Sequence, residues 1–476
     1  MTDVYATARA MIADLKAKKI SARELLNAHL ARNDALHPKL NAVIRTDIER
    51  AQKDALAIDE ARAKGASLGP LAGIPMTVKD GYDVENMPAT SGNPIYKDRD
   101  PKCADADMVK LVRGAGAVIW GKTNVPFMLA DLQSYNSVFG TTNNPYDVTR
   151  TPGGSSGGAA AALAAGITPI EIGSDIGGSL RHPANFCGVM SLKPTWGVLP
   201  ARGEVPPPPG RYVETDLAVV GPLARNTEDL KLMWSVTHQS AAQPRKDVKG
   251  ARVAVWDEED GWPLARDVKE GVIRAASALE KAGAHVERAK PKFSGLELLD
   301  CYMSLLVAIT SLGLPPDLLK AWEGSREKDR AILAEGGAGA MGARQRLMAT
   351  ATYREIVQQQ VIRQAMKDRL AEFFTRYDAI IMPISPTTAI KHLQEPAFND
   401  RILDVDGRPE PYPAFLYWIS VATALHAPAI TVQTGLAASG LPVGAQIIGP
   451  WHTEDRLFDY AAAVEEALGG FVKPSL

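Results

Sequence analysis

Residues 151–183 contain two glycine-rich turns that each carry serine, and they limit the possible folds more than any other part of the chain. The first turn is GGSSGG at 153–158, and the second is DIGGS at 175–179. Between them, the alanine run at 159–165 predicts a helix. Glycine-rich segments are often flexible linkers, but ordered segments flank both turns here. We therefore expect two defined turns whose backbone N–H groups approach a ligand closely.

The second turn contains both parts of a nucleophilic site. A serine nucleophile needs N–H groups beside it to stabilise the oxyanion that forms when a carbonyl is attacked. We expect Ser179 to attack and the N–H groups of Ile176, Gly177, Gly178 and Ser179 to form this oxyanion hole. Ser155 in the first turn is a candidate relay. The alternative is a phosphate-binding loop, although neither turn has the sequence pattern of one.

The segment LAGIPMTVKDG at 71–81 predicts a strand that ends at Lys79. Lysine is usually a solvated surface residue. At the end of an apolar strand it can instead lose its proton through desolvation and act as a base. Serine needs such a base, and neither turn presents a suitable histidine. A Ser–Lys arrangement is therefore the expected catalytic unit.

These segments resemble the amidase signature hydrolases. The resemblance is carried by the strand ending in Lys79 and by the GGSSGG and DIGGS turns, and it covers about residues 71–223. It implies a Ser–cis-Ser–Lys triad. In that triad Ser179 is the nucleophile, Ser155 is the relay and follows a cis peptide bond, and Lys79 is the base.

The resemblance also implies a place for the substrate. The segment 127–131 would border the cleft, with Leu129, Asp131 and Gly154 as substrate-binding residues. Many relatives carry glutamate where this chain has Phe127, so any substrate contact from that glutamate is not expected here. Asp131 has a second interpretation as an exposed loop carboxylate.

Alternating strand and helix patterns predict an α/β fold in which helices cover both faces of a mixed, largely parallel central sheet. The chain has 476 residues, 46% of them hydrophobic, and no clear linker divides it. We therefore expect a single amidase domain over 1–476 with its signature core at 70–223. The mostly helical segment 293–376 is interpreted as an insertion over the mouth of the active site that shapes the substrate pocket.

Charge and cysteine content bear on partners and location. Lysine and arginine number 53 against 55 acidic residues, so no basic surplus points to nucleic acid or an anionic membrane. The three widely spaced cysteines favour a reducing compartment, and we expect a cytoplasmic protein. No ligand spacing indicates a metal, and no cofactor is expected. The expected partner is a small-molecule amide or carbamate, without nucleic acid or membrane, for a monomer or homodimer.

The predicted function is hydrolysis of an amide C–N bond through a serine acyl-enzyme. The helical insertion is rich in apolar residues, which favours an aryl or alkyl amide, with possible carbamate or ester cleavage. One alternative is the glutaminase-type A subunit of a tRNA-dependent amidotransferase, which releases ammonia from glutamine for a partner. Another alternative is a non-catalytic binding protein on the same fold.

Overall fold

The computed structural model describes residues 2–206, 215–241, 243–335 and 340–476. The sequence also predicts an exposed proline-rich loop at 205–210 and a glycine-rich break between helices at 336–342. Both extend beyond the described residues.

Helices occur along the whole described chain and are most concentrated in its second half. In chain order they are α1 (Ala8–Lys16), α2 (Ala22–Leu40), α3 (Ile48–Ala63), α4 (Asp107–Gly114), α5 (Gly157–Ala164), α6 (Arg181–Phe186), α7 (Thr227–Thr237), α8 (Arg266–Lys281), α9 (Gly295–Thr310), α10 (Pro316–Gly324), α11 (Arg326–Glu335), α12 (Ala340–Ala349), α13 (Tyr353–Phe374), α14 (Phe415–Ala424) and α15 (Glu454–Leu468).

The strands are short, and most of them are buried. In chain order they are β1 (Val43–Thr46), β2 (Pro75–Lys79), β3 (Val118–Thr123), β4 (Tyr135–Asn136), β5 (Gly140–Thr141), β6 (Ile170–Asp175), β7 (Met190–Lys193), β8 (Val219–Ala224), β9 (Arg252–Val255), β10 (His285–Arg288), β11 (Ala379–Met382), β12 (Ile402–Val405), β13 (Arg408–Pro411), β14 (Ala429–Leu436) and β15 (Pro442–Ile448).

Eight strands form the large sheet, in the order β10-β9-β11-β15-β14-β7-β8-β6. The expected mixed α/β sheet is confirmed, but its pairing is less parallel than expected. Only β10 with β9 and β9 with β11 are parallel, and the other neighbours run antiparallel. The β14–β15 hairpin between β11 and β7 accounts for part of this, and β7, β8 and β6 also alternate in direction.

Helices cover both faces of this sheet. Two successive residues of β14 show this, since neighbouring side chains of a strand point to opposite faces. On β14, the Gln433 amide donates to Ala184 O of α6 at 3.2 Å. The next residue, Thr434, lies on the other face against Gly271 of α8, where a Cβ atom would be 2.9 Å from its hydroxyl. Helix α6 begins directly after the DIGGS turn, so the sheet fixes the position of that turn.

A second, three-stranded sheet in the order β1-β3-β2 contains Lys79. Glu171 of β6 joins it to the large sheet. Its carboxyl group accepts hydrogen bonds from Thr77 of β2 at 3.1 Å and from Thr123 of β3 at 2.8 Å. Strand β2 therefore runs beside β6, and Lys79 comes close to the residues that precede the DIGGS turn.

Helices α9 to α13 occupy the predicted insertion at 293–376. The fully buried Tyr302 of α9 donates its hydroxyl to Ile176 O at 2.8 Å, so the insertion reaches the second serine turn. The segment Gly295–Gly313 is long and apolar enough by composition to cross a membrane. Core helices of soluble proteins share that composition, and Tyr302 and Leu305 of this helix pack inside the protein.

Candidate active site

Lys79 lies at the end of β2 and is completely buried. Its Nζ atom is 2.8 Å from Ser155 Oγ and 2.9 Å from Ser174 Oγ. Burial lowers the pKa of this amine, while nearby carboxyl groups oppose the shift. The residue therefore has the environment of a base rather than that of a solvated surface lysine.

The GGSSGG turn places Ser155 beside this amine. The Gly154–Ser155 peptide bond is cis, which confirms that expectation. Ser134 anchors both ends of the turn. Its hydroxyl donates to Gly153 O and accepts from Gly157 N, both at 3.0 Å. Helix α5 starts at Gly157, so the turn ends in a buried helix.

Ser179 lies in the second turn and is 5% exposed. The backbone N–H of Ser156 donates to Ser179 O at 3.3 Å, which joins the two serine turns. Lys79, Ser155 and Ser179 thus belong to three segments that meet at one place. The expected triad residues are brought together, and their catalytic roles remain predictions.

The buried Asp175 organises the second turn. It pairs with Arg181 at 2.9 Å and accepts hydrogen bonds from Gly178 N at 2.9 Å and Leu180 N at 3.2 Å. Burial alone would raise the pKa of Asp175, but the Arg181 guanidinium holds it well below its usual range. Arg181 also donates to Ile419 O at 3.0 Å, which ties the turn to α14.

These bonds correct one part of the expected oxyanion hole. The Gly178 N–H already donates to Asp175, so it does not face a substrate. Among the residues that the structure describes, no acceptor is seen for the N–H groups of Ile176, Gly177 and Ser179. The candidate oxyanion hole therefore consists of three N–H groups rather than four.

The expected substrate residues differ from one another in their surroundings. Leu129 is half-buried, with a φ of 59°, and its side chain lies against Gly81, just after Lys79. At Gly154 the backbone packs so closely on 131–133 that a Cβ atom would lie 2.5 Å from Gln133 N. Gly154 is thus closed on that side by protein.

Asp131 is not an exposed carboxylate. Its carboxylate forms an ion pair with Arg401 at 2.6 Å and accepts the hydroxyls of Tyr135 at 2.9 Å and Tyr412 at 2.8 Å. It also accepts the N–H of Leu132 at 2.7 Å. Four donors fill the acceptor positions of a carboxylate, so the interpretation of Asp131 as an exposed loop carboxylate is wrong, and its role in substrate binding stays a prediction.

Sequence reasoning missed Ser174 and Glu204. Ser174 directly precedes Asp175 and could have been suspected from its place at the end of a strand. Glu204 lies outside the motifs in the sequence, and no spacing signals that it approaches the site.

The chain matches the family model described as Amidase over residues 24–458. It is 31% identical to the A subunit of glutamyl-tRNA(Gln) amidotransferase from Alkaliphilus metalliredigens, with 95% of this chain and 94% of the relative covered. The corresponding protein of Acidothermus cellulolyticus is 34% identical, with 97% and 94% covered. A solved structure superposes with a TM-score of 0.81 at 26% identity, covering 99% of this chain and all of the other; it comes from a vestigial protein complex that bears on the origin of an s-triazine catabolic enzyme.

The relatives overturn the expected partners. We expected a monomer or homodimer that meets only a small-molecule amide or carbamate, without nucleic acid. The relatives are named as subunits, and their enzyme is named for a transfer RNA. That set of partners is therefore wrong, and its exclusion of nucleic acid rested only on the balanced net charge.

Proposed function

Because this chain belongs to the amidase family, whose members hydrolyse amide C–N bonds, we propose that Ser179, Ser155 and Lys79 perform this reaction. The observation that carries the proposal is the 2.8 Å contact between the buried Lys79 amine and Ser155 Oγ. A neutral amine at that distance can take the serine proton.

The reaction follows from this geometry. Neutral Lys79 accepts the proton of Ser155, which in turn accepts the proton of Ser179, and Ser179 Oγ attacks the amide carbonyl. The N–H groups of Ile176, Gly177 and Ser179 stabilise the oxyanion. The proton returns through Ser155 to the leaving amine, and water then hydrolyses the acyl-enzyme.

For the substrate, we propose first the side-chain amide of glutamine, with the chain acting as the A subunit of a tRNA-dependent amidotransferase. The names of the relatives support this reading, and the chain aligns with them over nearly its whole length. Ser179 would then release ammonia for a partner protein. The idea that the chain is cytoplasmic fits this role and remains a proposal.

The second candidate is an apolar aryl or alkyl amide, and one observation favours it. Next to Gly177, a Cβ atom would lie 3.3 Å from the Leu416 side chain and 3.7 Å from the Tyr302 hydroxyl. Glutamine brings an ammonium and a carboxylate that need partners when buried. The nearest charged groups of the turn, Asp175 and Arg181, already pair with each other.

Hydrolysis by the purified chain distinguishes the candidates. The panel contains glutamine, an anilide, an aliphatic amide, an aryl carbamate and an aryl ester, with Ser179→Ala as the matched control. Cleavage of glutamine alone supports the role in an amidotransferase. Cleavage of the anilide or carbamate with glutamine untouched supports the second candidate.

Ser179→Ala is expected to lower turnover by a factor on the order of 10³ or more, because the nucleophile is lost. Its melting temperature should stay close to that of the wild type. Wild-type turnover by this variant would overturn the assignment of the nucleophile.

A further inference from the structure

Three carboxyl groups face the buried amine of Lys79: Glu171 and Asp175 from β6, and Glu204 from the segment that follows β7. Asp175 is paired with Arg181. Glu171 accepts hydrogen bonds from two threonines and from a backbone N–H. Glu204 differs from both, because the groups that favour its ionised form are Lys79 and the Ser174 hydroxyl.

Ser174 contacts the candidate base. Its Oγ atom accepts a hydrogen bond from Lys79 Nζ at 2.9 Å, and its hydroxyl favours the ionised form of Glu204. On its other side Lys79 contacts Ser155 Oγ at 2.8 Å. The Lys79 amine therefore contacts Ser155 and Ser174 directly, and Glu204 lies near enough to act on it through its charge.

The backbone fixes Glu204 in this position. Asp83 N donates to Gly203 O at 2.9 Å, and Val205 N donates to Gly81 O at 2.6 Å. Tyr82 and Glu204 are thus paired as neighbours in an antiparallel bridge, directly after the strand that carries Lys79. The Glu204 Cγ atom would lie 3.8 Å from a Cβ atom at Gly81. Strand pairing therefore fixes the backbone of Glu204 beside the end of β2.

Lys79 and Glu204 influence each other's protonation. Burial lowers the pKa of Lys79, and the Glu204 carboxylate is the first of the groups that raise it again. Burial raises the pKa of Glu204, and Lys79 opposes that shift. The pKa of the Tyr82 hydroxyl is raised well above its usual value, by burial first and then by the Glu204 carboxylate.

Burial by itself would make Lys79 a weak base. A general base works best when its pKa is near the working pH, since it must be deprotonated and still bind a proton strongly. A nearby carboxylate stabilises the ammonium form and so restores basicity to the amine.

We propose that Glu204, held beside the end of β2 by strand pairing, is a positioning residue for Lys79, and that its carboxylate keeps the amine basic enough to accept the proton of Ser155. The proposal rests on the proposed function, in which Lys79 is the base. Glu204 touches neither the substrate nor Ser179 in this scheme.

The test measures how fast a fluorescent fluorophosphonate labels Ser179 between pH 5 and pH 10. In that reaction Ser179 Oγ bonds to phosphorus, fluoride leaves, and the serine proton passes to the base, so the rate reports on Lys79 without a known substrate. The proteins compared are the full-length wild type, Glu204→Gln, which removes the charge at equal size, and Glu204→Asp, which keeps the charge.

In Glu204→Gln the acidic limb of the rate profile should move to lower pH by about one unit or more, because the carboxylate that raises the pKa of Lys79 is gone. The plateau should fall, because the amine is then a weaker base. Glu204→Asp should keep its limb close to that of the wild type. A purely structural role would change the melting temperature and the plateau but not the position of the limb.

An unshifted limb in Glu204→Gln, or an equal shift in Glu204→Asp, would overturn the proposal. Ser179→Ala and Lys79→Ala separate this failure from failure of the proposed function. If either of them is labelled at the wild-type rate, the catalytic assignment fails. If both are unreactive while Glu204→Gln follows the wild-type profile, only the role of Glu204 is wrong.

Discussion

At Gly154, the residue before the cis bond, the backbone of another segment fills the space where a side chain would point. A Cβ atom there would lie 2.5 Å from Gln133 N and 2.6 Å from Asp131 O. Backbone atoms cannot turn aside as the end of a flexible side chain can. Alanine at this position must therefore displace the turn that carries Ser155.

We expect Gly154→Ala to slow fluorophosphonate labelling of Ser179 by a factor on the order of 10², since a displacement of about 1 Å has that effect on catalytic groups. The control is Gly114→Ala in α4, where a Cβ atom would have no neighbour within 4 Å. That variant should label normally and gain about 0.5–1 kcal/mol of helix stability. Wild-type labelling by Gly154→Ala would contradict this tight packing.

The sequence indicates the residues of the triad but not the residues around them. Lys79, Ser155 and Ser179 stand in motifs whose letters carry the chemistry. Glu204 and Arg401 could not be recognised, because their roles arise from strand pairing and from contacts across the fold. Asp131 was misjudged for the same reason: its partner Arg401 lies 270 positions further along the chain.

Among the elements, the β12–β13 hairpin region is tied to the loop over the first serine turn. Arg401, directly before β12, pairs with Asp131 at 2.6 Å, and the two side chains are only 5% and 10% exposed. Arg401 also donates to the Tyr135 hydroxyl at 2.8 Å. A buried pair of this kind leaves an uncompensated charge when one partner is removed.

We expect Arg401→Met to lower the free energy of unfolding by about 3 kcal/mol, measured by urea denaturation. The double variant Asp131→Asn with Arg401→Met should lose less than the sum of the two single changes, because no unpaired charge remains. The control is Lys53→Met, which breaks an exposed pair with Glu49 and should leave stability nearly unchanged. Additive losses in the double variant would show that the pair does not act as a unit.

At the scale of elements, the sequence predicts the start of a helix more easily than the order of strands in a sheet. The S-x-x-E pattern at Ser21 to Glu24 predicts a capping box, and the structure has both of its hydrogen bonds at the start of α2. Strand order depends instead on which distant segments pair. Nothing in the local pattern of β14 and β15 shows that their hairpin lies between β11 and β7.

At the scale of the whole molecule, the hydrogen bonds of Glu171 connect the two sheets. Burial raises its pKa to about 8, although hydrogen bonds from Thr123, Ile172 and Thr77 oppose the shift. In the unfolded chain a glutamate titrates near pH 4.3. Between those values the unfolded state has already released the proton that the folded state still holds, so stability falls as the pH rises.

We expect Glu171→Gln to remove this dependence. Relative to the variant, the wild type should lose a few kcal/mol of unfolding free energy between pH 5 and pH 8, because one pKa unit corresponds to about 1.4 kcal/mol. Urea denaturation at both pH values measures the change. The control is Glu280→Gln on the exposed side of α8, which should follow the wild type. A constant difference between Glu171→Gln and the wild type at the two pH values would mean that Glu171 is already ionised in the folded protein.

The contacts of Arg181 have a consequence for the order in which a ribosome produces the site. The guanidinium beside the DIGGS turn binds the side chain of Gln446, 265 positions later in the chain. At about 5–20 residues per second, translation needs roughly 10 to 50 s to cover that distance. The serine turn thus leaves the ribosome long before the residue that completes its support, and the nascent chain passes through this interval with its reactive centre unassembled.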